Sequence, residues 1–495
     1  MPSSFLFAGS VTLSTYYPAP FGSYDRLRLV PRAPVAACSD SLNGVLYYDD
    51  TLDALRICNR DPSLGVSQWS YVGGVWYQDS NDNVYLSDRT NPNLMVGIGT
   101  NLPQEQLHIT KNFLLPATTG AAAGVIYTSN ASLLHTYGAQ NTFLGENAGN
   151  FVMSGTNNTA MGDSSLAAST SGEYNTALGS DSLMSTTTGR FNTALGSGAM
   201  ASNTSGQENV AVGIAALSSN TASSYNTAIG VGALSRTLSG GSNTAVGYQS
   251  LFLNTADSNI GIGYRSLYSN TTGSTNIAMG NSALYNNTSG VNNTAIGSSA
   301  GYNNSIRNNN VLVGSFAGYN NTASNITFVG TQAGYENIGW SNTFLGYLAG
   351  RSNTTGLRNT FIGDRAGNSN IDGGYNTFVG DIAGALNTSG TRNTFFGQGA
   401  GNQNTTGGLN SYFGEKAGSS NVSSGSNTFI GNRAGQSTTG SHNTFLGSYA
   451  GNETSSGSQN VYIGTFTGRS NATGFYNVFV GNHSGQNNLS GGNNV

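Results

Sequence analysis

The pattern of apolar and polar positions repeats along most of the chain with a short, fixed period. From Asn141 onward each unit reads Asn-Thr-x-aliphatic-Gly, and continues through a small residue and then Leu or Gly to a turn of Ser, Thr, Asn and Gly. We number the places of a unit from its Asn, which is place one. That Asn stands at 141, 158, 175, 192, 209, 226, 243, 259, 276, 293, 310, 342, 359, 376, 393, 410, 427, 443, 460, 477 and 494, and Ile326 replaces it once. Steps of 17 residues, with four of 16, predict a solenoid.

The unit predicts β-structure rather than helix. Place five is Gly in the units, and Gly lowers helix stability by about 1 kcal/mol per site relative to Ala. Side chains alternate along a strand, so places two and four share a face, and place four is apolar in every complete unit. We therefore expect places two and four to face the core and place three to face away. The expected fold is an all-β parallel β-solenoid (β-roll) of about 21 coils, each with two short strands, preceded by a small antiparallel β region.

Places three and nine change size in opposite senses. Place three is Ala or Gly from Ala160 to Ala278, where place nine is Leu or Met, and it is Phe or Tyr from Phe328 to Phe479, where place nine is Gly. Ala295 with Gly301 is the clear exception. Packed interiors tolerate little volume change, so the two places are expected to touch.

The aromatic residues at place three form a predicted assembly ladder. If place three faces outward, ten stacked rings would make an unusually large exposed apolar patch, which a second copy of the chain would cover. The ladder comprises Phe328, Phe344, Phe361, Phe378, Phe395, Tyr412, Phe429, Phe445, Tyr462 and Phe479.

The N-terminal part has a different pattern and is divided into a module at 1–92 and a connector at 93–140. Residues 44–49 and 54–58 read as a β-hairpin. Cys38 and Cys58 flank a predicted strand, and they form either a disulfide, if the compartment is oxidising, or two buried thiols.

The two chain ends suggest a docking contact. Residues 4–13 are apolar and strand-like without an evident partner, and their docking side chains would be Phe5, Leu6, Phe7, Val11 and Leu13. The chain stops at Val495, two residues into a coil, which leaves an edge that invites strand addition. Head-to-tail growth into a filament is one expectation. Continuation of the solenoid beyond Val495 is the other.

Two resemblances add to this interpretation. Asn-Thr-Ala-Ile-Gly at 226–230 and 293–297 resembles the head repeat of trimeric autotransporter adhesins, which implies a left-handed parallel β-roll with three chains side by side. The hairpin at 44–58 and Val-Gly-Ile-Gly-Thr at 96–100 are similar to modules of phage tail fibres and bacterial surface fibres. The first resemblance implies self-association as a trimer, and no ligand-binding residues carry over from it.

The amino-acid composition indicates where the protein is expected to function and which partners it is expected to lack. Charged residues make up 8% of the 495-residue chain, against about 25% in typical soluble domains. Asn, Ser and Thr must therefore supply most of the polar side chains on its surface. This suits an extracellular, cell-surface or virion fibre. A net charge of −4 argues against nucleic acid as a partner, and no run approaches the ~20 apolar residues of a membrane span.

Residues with reactive side chains are scattered. The four histidines are far apart in sequence, and aspartate does not recur at each turn as calcium-binding repeats require. We therefore expect no metal site, no cofactor and no enzyme activity. The expected function is a structural subunit of an extracellular or virion fibre, with an adhesin that recognises a surface glycan or receptor as the alternative. An ice-binding solenoid is set aside because the place-two Thr would share a face with the core.

Overall fold

The structure, a computed structural model, describes residues 115–128 and 131–495 in full, together with the backbone of seven strands between Leu46 and Ile109. The chain divides into two compact units, Met1–Leu114 and Leu115–Val495. The described residues contain strands and turns and no helix.

The described strands of the N-terminal unit form three small sheets. Their strands are β1 (Leu46–Asp49), β2 (Ala54–Arg60), β3 (Ser67–Tyr71), β4 (Trp76–Gln78), β5 (Val84–Leu86), β6 (Val96–Ile98) and β7 (Leu107–Ile109). Strands β1, β2 and β3 form an antiparallel sheet, β4 and β5 pair antiparallel, and β6 and β7 pair parallel. The predicted hairpin is confirmed, with Leu46 opposite Ile57.

The second unit is the predicted parallel β-solenoid. It begins with a hairpin of β8 (Ile126–Thr128) and β9 (Ala131–His135), and β9 pairs antiparallel with the first coil. One strand per coil follows: β10 (Thr142–Leu144), β11 (Thr159–Met161), β12 (Thr176–Leu178), β13 (Thr193–Leu195), β14 (Val210–Val212), β15 (Thr227–Ile229), β16 (Thr244–Val246), β17 (Ile260–Ile262), β18 (Ile277–Met279), β19 (Thr294–Ile296), β20 (Val311–Val313), β21 (Thr327–Val329), β22 (Thr343–Leu345), β23 (Thr360–Ile362), β24 (Thr377–Val379), β25 (Thr394–Phe396), β26 (Ser411–Phe413), β27 (Thr428–Ile430), β28 (Thr444–Leu446), β29 (Val461–Ile463) and β30 (Val478–Val480).

Successive strands pair place for place, and the 16-residue steps keep this register. Thr244 lies opposite Ile260 across such a step. The missing residue falls in the return turn, since Asn226 Nδ2 donates to the carbonyl 14 residues on, at Gly240, and Asn243 Nδ2 donates to the one 13 residues on, at Ala256. A return turn that is one residue shorter therefore leaves the pairing of the strands unchanged.

The prediction of two strands per coil is wrong. Opposite the strand, backbone groups also bond between coils, for example the Leu183 N–H to the Ala199 oxygen at 3.0 Å. These residues are not extended, because place nine has a left-handed backbone, with φ of 50° at Leu183. The far side of each coil is thus a stack of turns.

Buried asparagines hold the corners where the strands begin, except at Ile326. The Asn376 N–H donates to Asn359 Oδ1 at 2.9 Å, and Asn376 Oδ1 accepts from the Asn393 N–H at 2.9 Å. Asn376 Nδ2 also donates to the Gly390 oxygen at 2.8 Å. The side chain satisfies backbone groups of neighbouring coils, which explains why a polar residue is fully buried at place one.

The core lies on the opposite strand face from the one predicted. Place three is buried, as at Ala177 and Phe378, whereas Leu178 and Leu345 at place four are 41% and 45% exposed. Each strand is three residues long and its middle residue points inward, between the place-one corner and the place-five Gly. The interior is narrow, and it admits one strand side chain with the small residue of place eight, mostly Ala, and the residue of place nine.

Candidate functional site

The ten aromatic residues of the assembly ladder lie inside a single chain. Their ring centroids are 4.6 to 5.3 Å apart in a continuous stack, nine rings have no exposed surface, and Phe479 at the end is 8% exposed. The prediction that this ladder faces a second copy is therefore wrong. The buried residues are Phe328, Phe344, Phe361, Phe378, Phe395, Tyr412, Phe429, Phe445, Tyr462 and Phe479.

The predicted contact between places three and nine is confirmed. A Cβ atom added to Gly384 would lie 2.6 Å from Cδ2 of Phe378 in the same coil, which no real contact permits. The exception at Ala295 also has a structural explanation. A Cβ on Gly301 would lie 2.6 Å from Leu312 Cδ1 and 2.9 Å from Leu284 Cδ2, so leucines of both neighbouring coils fill the space.

The exposed apolar feature of the solenoid is the outward side of its strands. We call the residues at places two and four of β11–β30 the strand face. Every place-four residue of these strands is at least partly exposed. The most exposed of them range from 38% at Ile463 to 64% at Val480. Place two is mostly Thr, and neither place carries a charged residue in any of these strands. Two parallel rows, one mostly of Thr and one apolar, thus run along the solenoid.

Sequence reasoning missed this surface because it assigned place four to the core. The reason for setting aside ice binding was also wrong, because Thr176 and Thr377 are exposed. The neighbouring row is nevertheless uneven, since place four ranges from Val379 to Phe396, and Val or Ile interrupts the Thr row in six coils. This is not the flat Thr array that ice binding requires.

The titratable residues are dispersed. His135 is buried in β9, where Nε2 lies 2.8 Å from the Ala148 oxygen and the ring is 4.8 Å from that of Phe143. Burial lowers the pKa of His135, and the hydrogen bond to Ala148 partly opposes this. His135 thus covers the first aromatic ring of the core, whereas His442 and His483 are exposed.

The described residues contain no group of three or more His, Cys, Asp or Glu side chains placed to hold a metal ion. No helix in that part of the chain is long and apolar enough to cross a membrane.

Two predicted features fall outside the described side chains. Cys38 and the docking residues Phe5, Leu6, Phe7, Val11 and Leu13 lie outside the described residues, and Cys58 is described only as backbone in β2. The disulfide and the docking strand remain predictions.

The chain is a parallel β-solenoid repeat protein, built from about 20 coils of roughly 17 residues. No protein-family model matches it, and comparisons with curated proteins and with solved structures found no significant match.

Proposed function

We propose that the protein is a structural subunit of an extracellular or virion fibre, without enzyme activity, whose copies associate along the strand face. The observation that carries this proposal is the apolar row at place four, at least partly exposed throughout, which runs through twenty successive strands without a charged residue. Charged residues are depleted at the centres of protein interfaces, and large exposed apolar patches mark association sites.

The dimensions of the strand face favour a second copy of the same chain. At about 4.8 Å per coil, twenty strands extend over roughly 95 Å, so the partner must be equally long. If each place-four side chain exposes roughly 60 Å², the row offers on the order of 1,000 Å², which exceeds the ~800 Å² per partner of a stable interface. A copy of this chain presents an apolar row with the same spacing.

The resemblances support the same proposal. Head repeats of trimeric autotransporter adhesins place three chains side by side, and the N-terminal modules are similar to those of phage tail fibres. Assembly as a trimer and assembly as a filament are both compatible with an interface along the rod. The low charge and the Asn, Ser and Thr surface suit an extracellular or virion setting.

Charge placed on the strand face tests this proposal. In the double variant Ile229→Glu with Ile430→Glu, both substituted residues are 40% exposed at place four. We expect the wild-type protein to sediment as an oligomer and this variant to sediment as a monomer with unchanged β circular dichroism, because an interface would bury the new carboxylates.

The control carries the same substitutions elsewhere. Ile306→Glu with Ile371→Glu places two carboxylates on return turns, where the isoleucines are 54% and 48% exposed. This variant should retain the wild-type mass in analytical ultracentrifugation. A monomeric wild-type protein, or a strand-face variant of unchanged mass, would contradict the proposal.

A further inference from the structure

The repeat is interrupted at one place. Between Asn310 and Asn342 two 16-residue units follow one another, and Ile326 stands where the other coils have Asn. The Ile326 N–H still donates to Asn310 Oδ1, but its side chain has no oxygen to continue the row. The return turns beside this interruption form an open groove of about 410 Å³. We call it the Trp340 groove, and it is bordered by Arg307, Thr322, Ala323, Ser324, Asn325, Ile338 and Trp340.

Trp340 forms one wall of the groove. It is the one tryptophan of residues 115–495, and its side chain is 46% exposed. The Arg358 guanidinium of the following coil lies over the ring, 4.8 Å from its centroid. The other groove residues belong to the same coil or to the two before it, so the opposite side of the ring borders the groove.

Arg307 supplies the charge of the groove. Within residues 115–495 its guanidinium has no hydrogen-bond, ion-pair or aromatic partner. Each of the other nine arginines in that range has at least one of these: Arg190, Arg236, Arg265, Arg351, Arg358, Arg365, Arg392, Arg433 and Arg469. No acidic residue borders the groove. Its charge is therefore positive and available to an anion.

Polar groups also line the groove. Asn325 Oδ1 accepts from Asn309 Nδ2 at 3.1 Å, which leaves the Asn325 amide group to donate. The Thr322 side chain is exposed beside it. Ile338 and Trp340 provide the apolar side. The groove thus combines an aromatic surface, hydrogen-bonding groups and one guanidinium within a small-ligand volume.

We propose that the Trp340 groove binds a carboxylate-bearing sugar residue of a surface glycan. The C–H face of a pyranose packs on an aromatic ring, and its hydroxyls pair with Asn325 and Thr322. The planar guanidinium of Arg307 matches a carboxylate in a two-pronged ion pair. This inference goes beyond the structural role, because it gives the fibre a receptor-binding site and does not depend on how the copies associate.

The test is calorimetric titration of the full chain with three soluble probes. Sialyllactose and a glucuronic acid oligosaccharide carry the carboxylate, and lactose does not. We expect at least one carboxylated probe to bind about tenfold or more tightly than lactose, because a hydrogen-bonded charge pair supplies roughly that difference. Failure of both carboxylated probes to bind, or equal binding of lactose, would overturn the proposal.

Variants locate the binding to this groove. Trp340→Ala and Arg307→Gln should each weaken binding about tenfold or more, and Arg307→Lys should retain part of it. Tyr225→Ala and Arg190→Gln are matched controls, an exposed aromatic residue and an exposed arginine on return turns distant from the groove, and should bind as the wild type does. Undiminished binding by the Trp340→Ala variant, with circular dichroism confirming its fold, would refute the assignment.

Discussion

Exchanging the sizes of places three and nine in one coil tests the internal packing most directly. Phe378→Ala removes a fully buried ring that stacks 4.8 Å from Phe361 and 4.7 Å from Phe395. Removing a buried Phe ring costs about 3–5 kcal/mol, from lost burial and the cavity left behind. We expect the free energy of unfolding to fall by this amount.

The reciprocal substitution overfills the same space. A Cβ on Gly384 already meets the Phe378 ring at 2.6 Å, so Gly384→Leu forces the ring to move and costs about 1–3 kcal/mol or more. The backbone adds a penalty of roughly 1–2 kcal/mol, because Gly384 has φ of +55°. Leucine nevertheless occupies this conformation at place nine elsewhere, with φ of 50° at Leu183.

The double variant should recover much of the loss. Phe378→Ala with Gly384→Leu recreates the pair Ala177 and Leu183, in which both side chains are buried. We expect a favourable coupling of about 2 kcal/mol or more between the two substitutions, because they share one volume. The assay is guanidinium unfolding followed by circular dichroism, in the strand-face double variant so that association does not contribute.

Phe396→Ala serves as the matched control, since Phe396 is 53% exposed at place four of the next coil. It should cost less than about 1 kcal/mol. If Phe396→Ala lowered the free energy of unfolding more than Phe378→Ala does, the conclusion that place three forms the core would be contradicted. Additive effects of Phe378→Ala and Gly384→Leu would show that places three and nine do not share space.

Three further predictions concern polar groups. Asn376→Ala should cost about 1–3 kcal/mol or more in guanidinium unfolding, because it leaves the Asn393 N–H and the Gly390 oxygen buried without that partner. Burial raises the pKa of Tyr462 from 10.0 to about 12. As the pH rises, the Tyr462 hydroxyl therefore loses its proton in the unfolded state first, and the free energy of unfolding should decline between pH 10 and 12. This decline should be smaller in the Tyr462→Phe variant. Burial lowers the pKa of His135 below 6.5, so hydrogen exchange should show β9 losing protection as the pH falls below that value, and His135→Phe should lessen this loss.

Much of the fold could be predicted because a repeat restates the same local constraints many times. The period indicated a solenoid, and place-five Gly excluded helix. The opposite sizes of places three and nine indicated their contact from the sequence alone. Each of these inferences depends on residues of a single coil and on the requirement that coils stack in register.

Which strand face is buried could not be predicted from alternation. A strand has two faces, and here both carry apolar residues, Phe378 on one and Val379 on the other. Place four was expected to form the core because it is apolar in every complete coil. The structure decided otherwise because the buried Asn corner and the place-five Gly leave a narrow interior that takes one strand side chain per coil.

The Trp340 groove was decided by tertiary structure alone. Arg307, Asn325 and Trp340 belong to successive coils, and in sequence they are separated by turns that resemble all the others. Stacking the coils at their common spacing brings these return turns together, and the interrupted Asn row at Ile326 marks the coil where they differ. The periodicity of the sequence therefore determined that this part of the chain forms a solenoid. The contacts between coils decided which side chains lie on its surface.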